Sequence, residues 1–119
     1  MSHYIDGFVF PIARSSLDTY KQLAEQIAEI WKEYGALEYK EFMGDDMSLE
    51  GTRSFIDSTA ATDDEVVVMG WVTFESREAR DLANEKVMND PRVEALMTSA
   101  DSGFDPSRMF YGGFTTFIQ

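Results

Sequence analysis

The chain has 119 residues, 44% of them hydrophobic, and its 22 acidic against 10 basic residues give a net charge of −12. That length suits one domain with its own core, and the charge speaks against nucleic acid and anionic membrane surfaces, which call for clustered Lys and Arg. The lack of cysteine excludes disulfides, thiolate metal sites and a cysteine nucleophile, and it suits a reducing cytoplasm.

The N-terminal run Met1-Ser2-His3-Tyr4-Ile5-Asp6 has no basic stretch leading into an apolar one, so no signal peptide is expected. No apolar run approaches the roughly 18 residues of a membrane span. A cytoplasmic protein without membrane or nucleic-acid partners is expected.

Residues 4–12 are rich in aromatic and β-branched side chains and predict a first strand, ending near Pro11 or lying at a sheet edge. Ser15 and Ser16 are candidate helix caps, Ser15 with Asp18 three positions on. Leu17, Tyr20, Ala24, Ile27, Trp31 and Tyr34 then recur at steps of three and four, one stripe of a helix that Leu23 and Ile30 widen and Gly35 ends.

Residues 37–43 alternate well enough for a second strand closed by Gly44-Asp45-Asp46. Segment 47–62 is harder to read, and 54–57 fits either a short edge strand or a loop. After the turn Thr62-Asp63-Asp64, residues 65–75 form the strongest strand pattern in the chain. Ser76 caps a second helix to about Asn89, with Ala79, Leu82, Ala83, Val87 and the stem of Lys86 inward. Asn89-Asp90-Pro91 breaks it, 91–98 adds a helical turn or two, 98–107 reads as a loop, and 108–118 is the last strand. The order β-α-β-β-α-β is the ferredoxin-like split pattern, an α+β domain with a four-stranded antiparallel sheet and helices on one face.

Both alternating sets of the third strand are apolar, Val66, Val68, Gly70, Val72, Phe74 and Val67, Met69, Trp71, Thr73; the last strand behaves alike. Helices on one face leave the other bare, and monomers rarely expose so much apolar surface. A second copy is the simplest cover, so a homodimer through the open sheet face is expected.

Several runs carry a resemblance: Tyr4-Ile5-Asp6-Gly7-Phe8-Val9, Trp31-Lys32-Glu33-Tyr34-Gly35-Ala36-Leu37-Glu38-Tyr39, Gly44-Asp45-Asp46, Lys86-Val87-Met88-Asn89-Asp90-Pro91-Arg92 and Arg108-Met109-Phe110-Tyr111-Gly112-Gly113-Phe114. Together they resemble the bacterial YbaA-like family of uncharacterised proteins over nearly the whole chain, most weakly across 47–62. The family looks like a branch of the dimeric α+β barrel superfamily. The wider superfamily includes cofactor-free quinol monooxygenases, haem-degrading enzymes, lactone isomerases and dimers with no known activity. None of its catalytic motifs can be placed residue by residue on this chain.

The residues themselves offer candidates. Asp6, among Tyr4, Phe8 and Phe10, is a candidate general base if burial raises its pKa; alternatively it is a structural carboxylate bound to backbone donors or to an arginine at the dimer seam. Arg108 is a candidate clamp for an anionic substrate group, or a partner for Asp105 or Asp6. Glu41 is a candidate second acid, and Tyr39, Trp71 and Tyr111 a candidate aromatic wall, in a site between sheet and helices. His3 is the only histidine, which excludes multi-histidine metal sites, and the acidic runs lack calcium-loop spacing. No metal or cofactor is expected. The function stays unknown at this level: a dimer that binds or transforms a small planar organic molecule without a cofactor, as a monooxygenase or isomerase does, or a non-catalytic structural or stress-related dimer acting through its surface.

Overall fold

In the computed structural model, residues 2–99 and 101–119 are described; Met1 and Ala100, the latter within the expected loop 98–107, lie outside them. The strands are β1 (Tyr4–Ala13), β2 (Glu38–Met43), β3 (Glu65–Phe74) and β4 (Phe110–Thr115). The helices are α1 (Leu17–Glu33), α2 (Phe55–Thr59), α3 (Arg77–Met88) and α4 (Pro91–Ser99). The sheet order is β2-β3-β1-β4 with every neighbour antiparallel, the ferredoxin-like arrangement the element order predicts.

β1 does not stop at Pro11 and is not an edge strand. It is central and runs to Ala13, but β4 pairs with it only from Tyr4 to Val9. Beyond Val9 one side of β1 has no strand neighbour, so the missing N–H of Pro11 breaks no rung there. The expected serine cap is also absent: a 3-10 turn at Arg14–Ser16 feeds α1, and the Ser16 side chain makes no cap hydrogen bond. Gly35 has φ +118 and ends α1, as its lack of a Cβ allows. Leu23 and Ile30 are the most deeply buried residues of that helix, the reverse of their expected supporting role.

Segment 54–57 is neither strand nor loop but the start of α2, whose Ser54 side chain accepts from the Ile56 N–H at 3.1 Å. On α3, Ala79, Ala83 and Val87 face inward at steps of four, while Leu82 and Lys86 are exposed. The small side chains let the helix lie close to the sheet. α4 spans the expected 91–98 and one residue more, and a 3-10 turn at Pro106–Arg108 shortens the last strand.

The register settles which strand faces meet the helices. Phe10, Ile12, Val66, Val68, Val72 and Phe74 point toward them and are buried; Phe10 and Phe74 are wholly enclosed. Tyr20 and Phe104 meet Phe10 edge-on, with centroids 5.4 and 5.0 Å away. On the second face α2 packs against β1 and β3, where Pro11 and Val67 are buried. The rest of that face presents Ile5, Val9, Met69 and Trp71, with Phe42, Phe110 and Phe114 about half exposed. The molecule is a slab of 39 × 38 × 19 Å. Its accessible surface is 8083 Å², whereas a monomer of its mass exposes about 6,500 Å².

Two polar joints tie the elements together. The Asp90 carboxylate accepts from the Tyr34 hydroxyl at 2.7 Å and from Arg92, which also reaches Glu33 at 2.7 Å. Arg92, then Tyr34, hold the Asp90 carboxyl below its usual range. Two of the runs that carried the family resemblance thus meet in a structural clamp between the end of α1 and the α3–α4 corner.

Arg108 grips Glu65 with two bonds, at 2.6 and 3.0 Å, and holds its carboxyl down to about 2 from an ordinary 4.5. A depressed folded-state pKa contributes stability above the unfolded value, and that contribution is lost as pH falls through the folded one. Glu65→Gln therefore melts below wild type at pH 7. The gap narrows from about pH 5 and closes near pH 2; melting curves of both proteins across that range check it.

Candidate functional site

The helix-facing side of β1 reads Tyr4, Asp6, Phe8, Phe10, Ile12, and antiparallel register sets Tyr39 and Glu41 of β2 and Tyr111 of β4 on the same side. Opposite Phe8 stands Gly70, where a Cβ would lie 2.6 Å from the Phe8 ring. The missing side chain lets that ring lie flat across the sheet. Above it, α1 leaves a cavity of about 440 Å³ walled by Phe8, Phe10, Tyr20, Trp31, Tyr39 and Phe104, with Asp6 and Tyr111 also in its lining. A second void, an outer groove of about 640 Å³, runs between α1 and β2. Tyr20, Ala24 and Tyr39 line both.

Two polar clusters belong to this cleft. In the first, Arg80 of α3 donates through Nη1 to Asp6 Oδ1 at 2.6 Å and to the Tyr111 hydroxyl at 2.9 Å, and that hydroxyl donates to Asp6 Oδ1 at 2.7 Å. Arg80 also bonds Asp81 at 2.8 Å and lies over the Tyr4 ring, 4.9 Å from its centroid. Burial, then the Asp6 bond, pushes the Tyr111 hydroxyl up to about 12. In the second, both oxygens of Glu41 accept from phenols, Tyr20 at 2.6 Å and Tyr39 at 2.8 Å. Burial, then the Glu41 charge, raises both phenols far above their ordinary value, so they stay protonated donors.

Asp6, Tyr39 and Tyr111 line the cavity and Glu41 lines the groove beside it. Asp6 is buried, but the premise of an unpaired carboxylate in an apolar face fails, because Arg80 neutralises it. Trp71 is not in the cleft. It sits on the other sheet face, packs against Phe42 with ring centroids 5.1 Å apart and planes tilted by 34°, and donates to Glu38 at 3.2 Å; one-residue parity on β3 decides its side. Arg108 is not in the cleft either and pairs with neither Asp105 nor Asp6, because its guanidinium is taken up by Glu65.

Sequence reasoning missed Arg80 and Tyr20 as members of the site. Tyr20 carried a helix-stripe signal and was read only as core. Arg80 had one available signal: a carboxylate placed among Tyr4, Phe8 and Phe10 calls for a buried cation. Among the described residues no group of three His, Asp or Glu stands together to hold a metal, and no helix is long and apolar enough to cross a membrane.

The fold and cleft define a ferredoxin-like α+β domain with an aromatic cavity between sheet and helices. Within that class the chain belongs to the family described as "Protein of unknown function (DUF1428)", which it matches over residues 3–106. It is 37% identical over 116 residues to the uncharacterized protein YbaA of Escherichia coli strain K12, covering 98% of this chain and 97% of that one. A variant of SnoaB, a cofactor-independent oxygenase from Streptomyces nogalater, superposes with a TM-score of 0.61 at 10% identity, covering 98% of this chain and 95% of SnoaB. The monooxygenase encoded by ActVA-Orf6 of Streptomyces coelicolor, in complex with nanaomycin D, gives 0.58 at 19% identity, covering 98% and 88%. At such identities the likeness is one of fold.

Proposed function

We propose that the chain works as a cytoplasmic homodimer in which each copy binds a small planar organic molecule between its sheet and α1 and transforms it without a cofactor, by oxygenation or isomerisation. The cavity of about 440 Å³ carries this reading: it falls in the size range of small-molecule sites, mostly apolar with a few polar groups. Asp6 and Tyr111 contact the ligand from one wall; Tyr39 belongs to the wall shared with the groove, and Glu41 stands on the groove side of that wall. SnoaB and the ActVA-Orf6 enzyme, which share the fold, are respectively a cofactor-independent oxygenase and a monooxygenase seen with nanaomycin D.

The dimer has separate support. The bare sheet face and an excess surface of about 1,500 Å² over a monomer of this mass leave ample room for an interface that takes about 800 Å² from each partner.

A thermal-shift screen of two- and three-ring aromatic compounds tests the cavity. A ligand at a hundred times its dissociation constant stabilises by about 2.7 kcal/mol. Ala24→Phe, which fills the shared wall, abolishes the shift while the protein stays folded. If no compound shifts the wild type, or Ala24→Phe responds equally, the cavity is not the binding site.

One observation favours binding or structure without catalysis: among the described residues every buried side-chain nitrogen and oxygen already has a partner. Recovery of a bound ligand unchanged after incubation in air would favour this second reading.

A further inference from the structure

The wall between cavity and groove has an unusual hydrogen-bond polarity. Tyr20 and Tyr39 each commit their one hydrogen to Glu41, so the phenol oxygens keep only lone pairs toward a ligand. A carboxylate has about four acceptor positions and no hydrogen to give. Glu41 therefore retains an acceptor position on each oxygen after taking both phenols. Every free position on this wall is an acceptor.

Charge points the same way. No Lys or Arg is among the residues lining the inner cavity. Arg80, which bonds the cavity residues Asp6 and Tyr111, is held by Asp6 and Asp81. In the groove Asp18, Glu25, Glu29 and Glu41 stand against Lys21 and Lys32, and Lys32 lies 3.7 Å from Glu29. An anionic ligand would meet no cation in the lining of the inner cavity, where Trp31 and Asn84 are only neutral donors, and a net negative lining in the groove, two lysines against four carboxylates.

Resting on the reading of the cleft as a ligand site, the geometry points to Glu41 as the residue that selects the ligand: an uncharged planar molecule that presents an O–H or N–H donor to the Tyr20–Glu41–Tyr39 wall, with carboxylates and phosphates excluded. The ligand hydroxyl joins the carboxylate beside the phenols. Its bond is charge-assisted, and hydrogen bonds to charged groups discriminate by about tenfold or more over a ligand without the donor.

The test titrates the full chain with three matched probes, 2-naphthol, 2-methoxynaphthalene and 2-naphthoate, at pH 7. Wild type binds 2-naphthol about tenfold or more tightly than the methyl ether, and 2-naphthoate most weakly. Glu41→Gln brings naphthol and methyl ether within about threefold and narrows the handicap of the carboxylate, because the amide offers a donor. Tyr39→Phe frees one Glu41 oxygen and enlarges the naphthol preference, a change opposite in sign to that of Glu41→Gln that loss of structure would not produce.

Should Glu41→Gln unfold, the Tyr39→Phe result carries the test alone. If the methyl ether binds as tightly as naphthol, or naphthoate binds best, the selectivity is overturned while the cavity reading stands. If none of the three binds wild type, the cavity reading falls and this inference with it.

Discussion

Arg80→Met is expected to lower the unfolding free energy by about 3–5 kcal/mol, the largest effect of any single substitution of a charged residue in this chain. The reason lies in what it leaves behind. The Asp6 side chain is 10% exposed and that of Arg80 13%. Without the guanidinium, Asp6 keeps only the Tyr111 hydroxyl and faces Phe8 and the sheet interior as an uncompensated charge. Removing one partner of such a pair costs far more than the pair contributes. The loss also takes away the cation over the Tyr4 ring and the bond that ties α3 to the β1–β4 edge. Native domains hold only about 5–15 kcal/mol in total, so the urea midpoint falls steeply. Asp6→Asn in the same protein removes the stranded charge, and the double variant recovers part of the loss. Equal losses in Arg80→Met and the double variant would mean that the Asp6 charge is not what makes Arg80 necessary.

Val9→Asp is expected to break the dimer with little harm to the subunit. Val9 pairs with Met69 on one side and Phe110 on the other, at the middle of the uncovered sheet face. In a separate subunit that face is wet, and the new carboxylate is solvated. In the proposed dimer, two copies of it would be buried among the apolar side chains of the covered sheet face. An unpaired buried charge costs several kcal/mol, and a cost of about 3 kcal/mol already weakens association more than a hundredfold. Sedimentation at low micromolar concentration checks the mass, and far-ultraviolet circular dichroism checks that the fold survives. An unchanged dimer in Val9→Asp would place the interface elsewhere.

Most of the framework was legible because it rests on local rules. α1 announces itself through the steps from Leu17 to Tyr34 and through Gly35, and the ends of β3 fall within one residue of its pattern. α2 was hidden because Phe55–Thr59 is too short to show a period; only the Ser54 cap marks it. The inward face of α3 was misjudged at Leu82 because hydrophobicity stood in for geometry. The sheet instead accepts the thin stripe Ala79, Ala83, Val87 and leaves Leu82 in solvent.

The site was half legible, for a related reason. Asp6, Tyr39, Glu41 and Tyr111 share a face that alternation along single strands identifies. Trp71 was misplaced because both faces of β3 are apolar, so parity carries no information until the helices are in position. Arg108 and Arg80 could not be assigned to partners from sequence. Their carboxylates lie 43 and 74 positions away along the chain, and such separations are set by topology rather than by spacing.

All of this hangs on the sheet face that the subunit's own helices do not cover. Sedimentation velocity of the unmodified protein between 1 and 50 µM (an experimental range of roughly two decades, chosen to bracket ordinary dimer affinities) measures that directly. The account predicts one species at twice the mass of the chain; a single species at the mass of one chain across the whole range would contradict it.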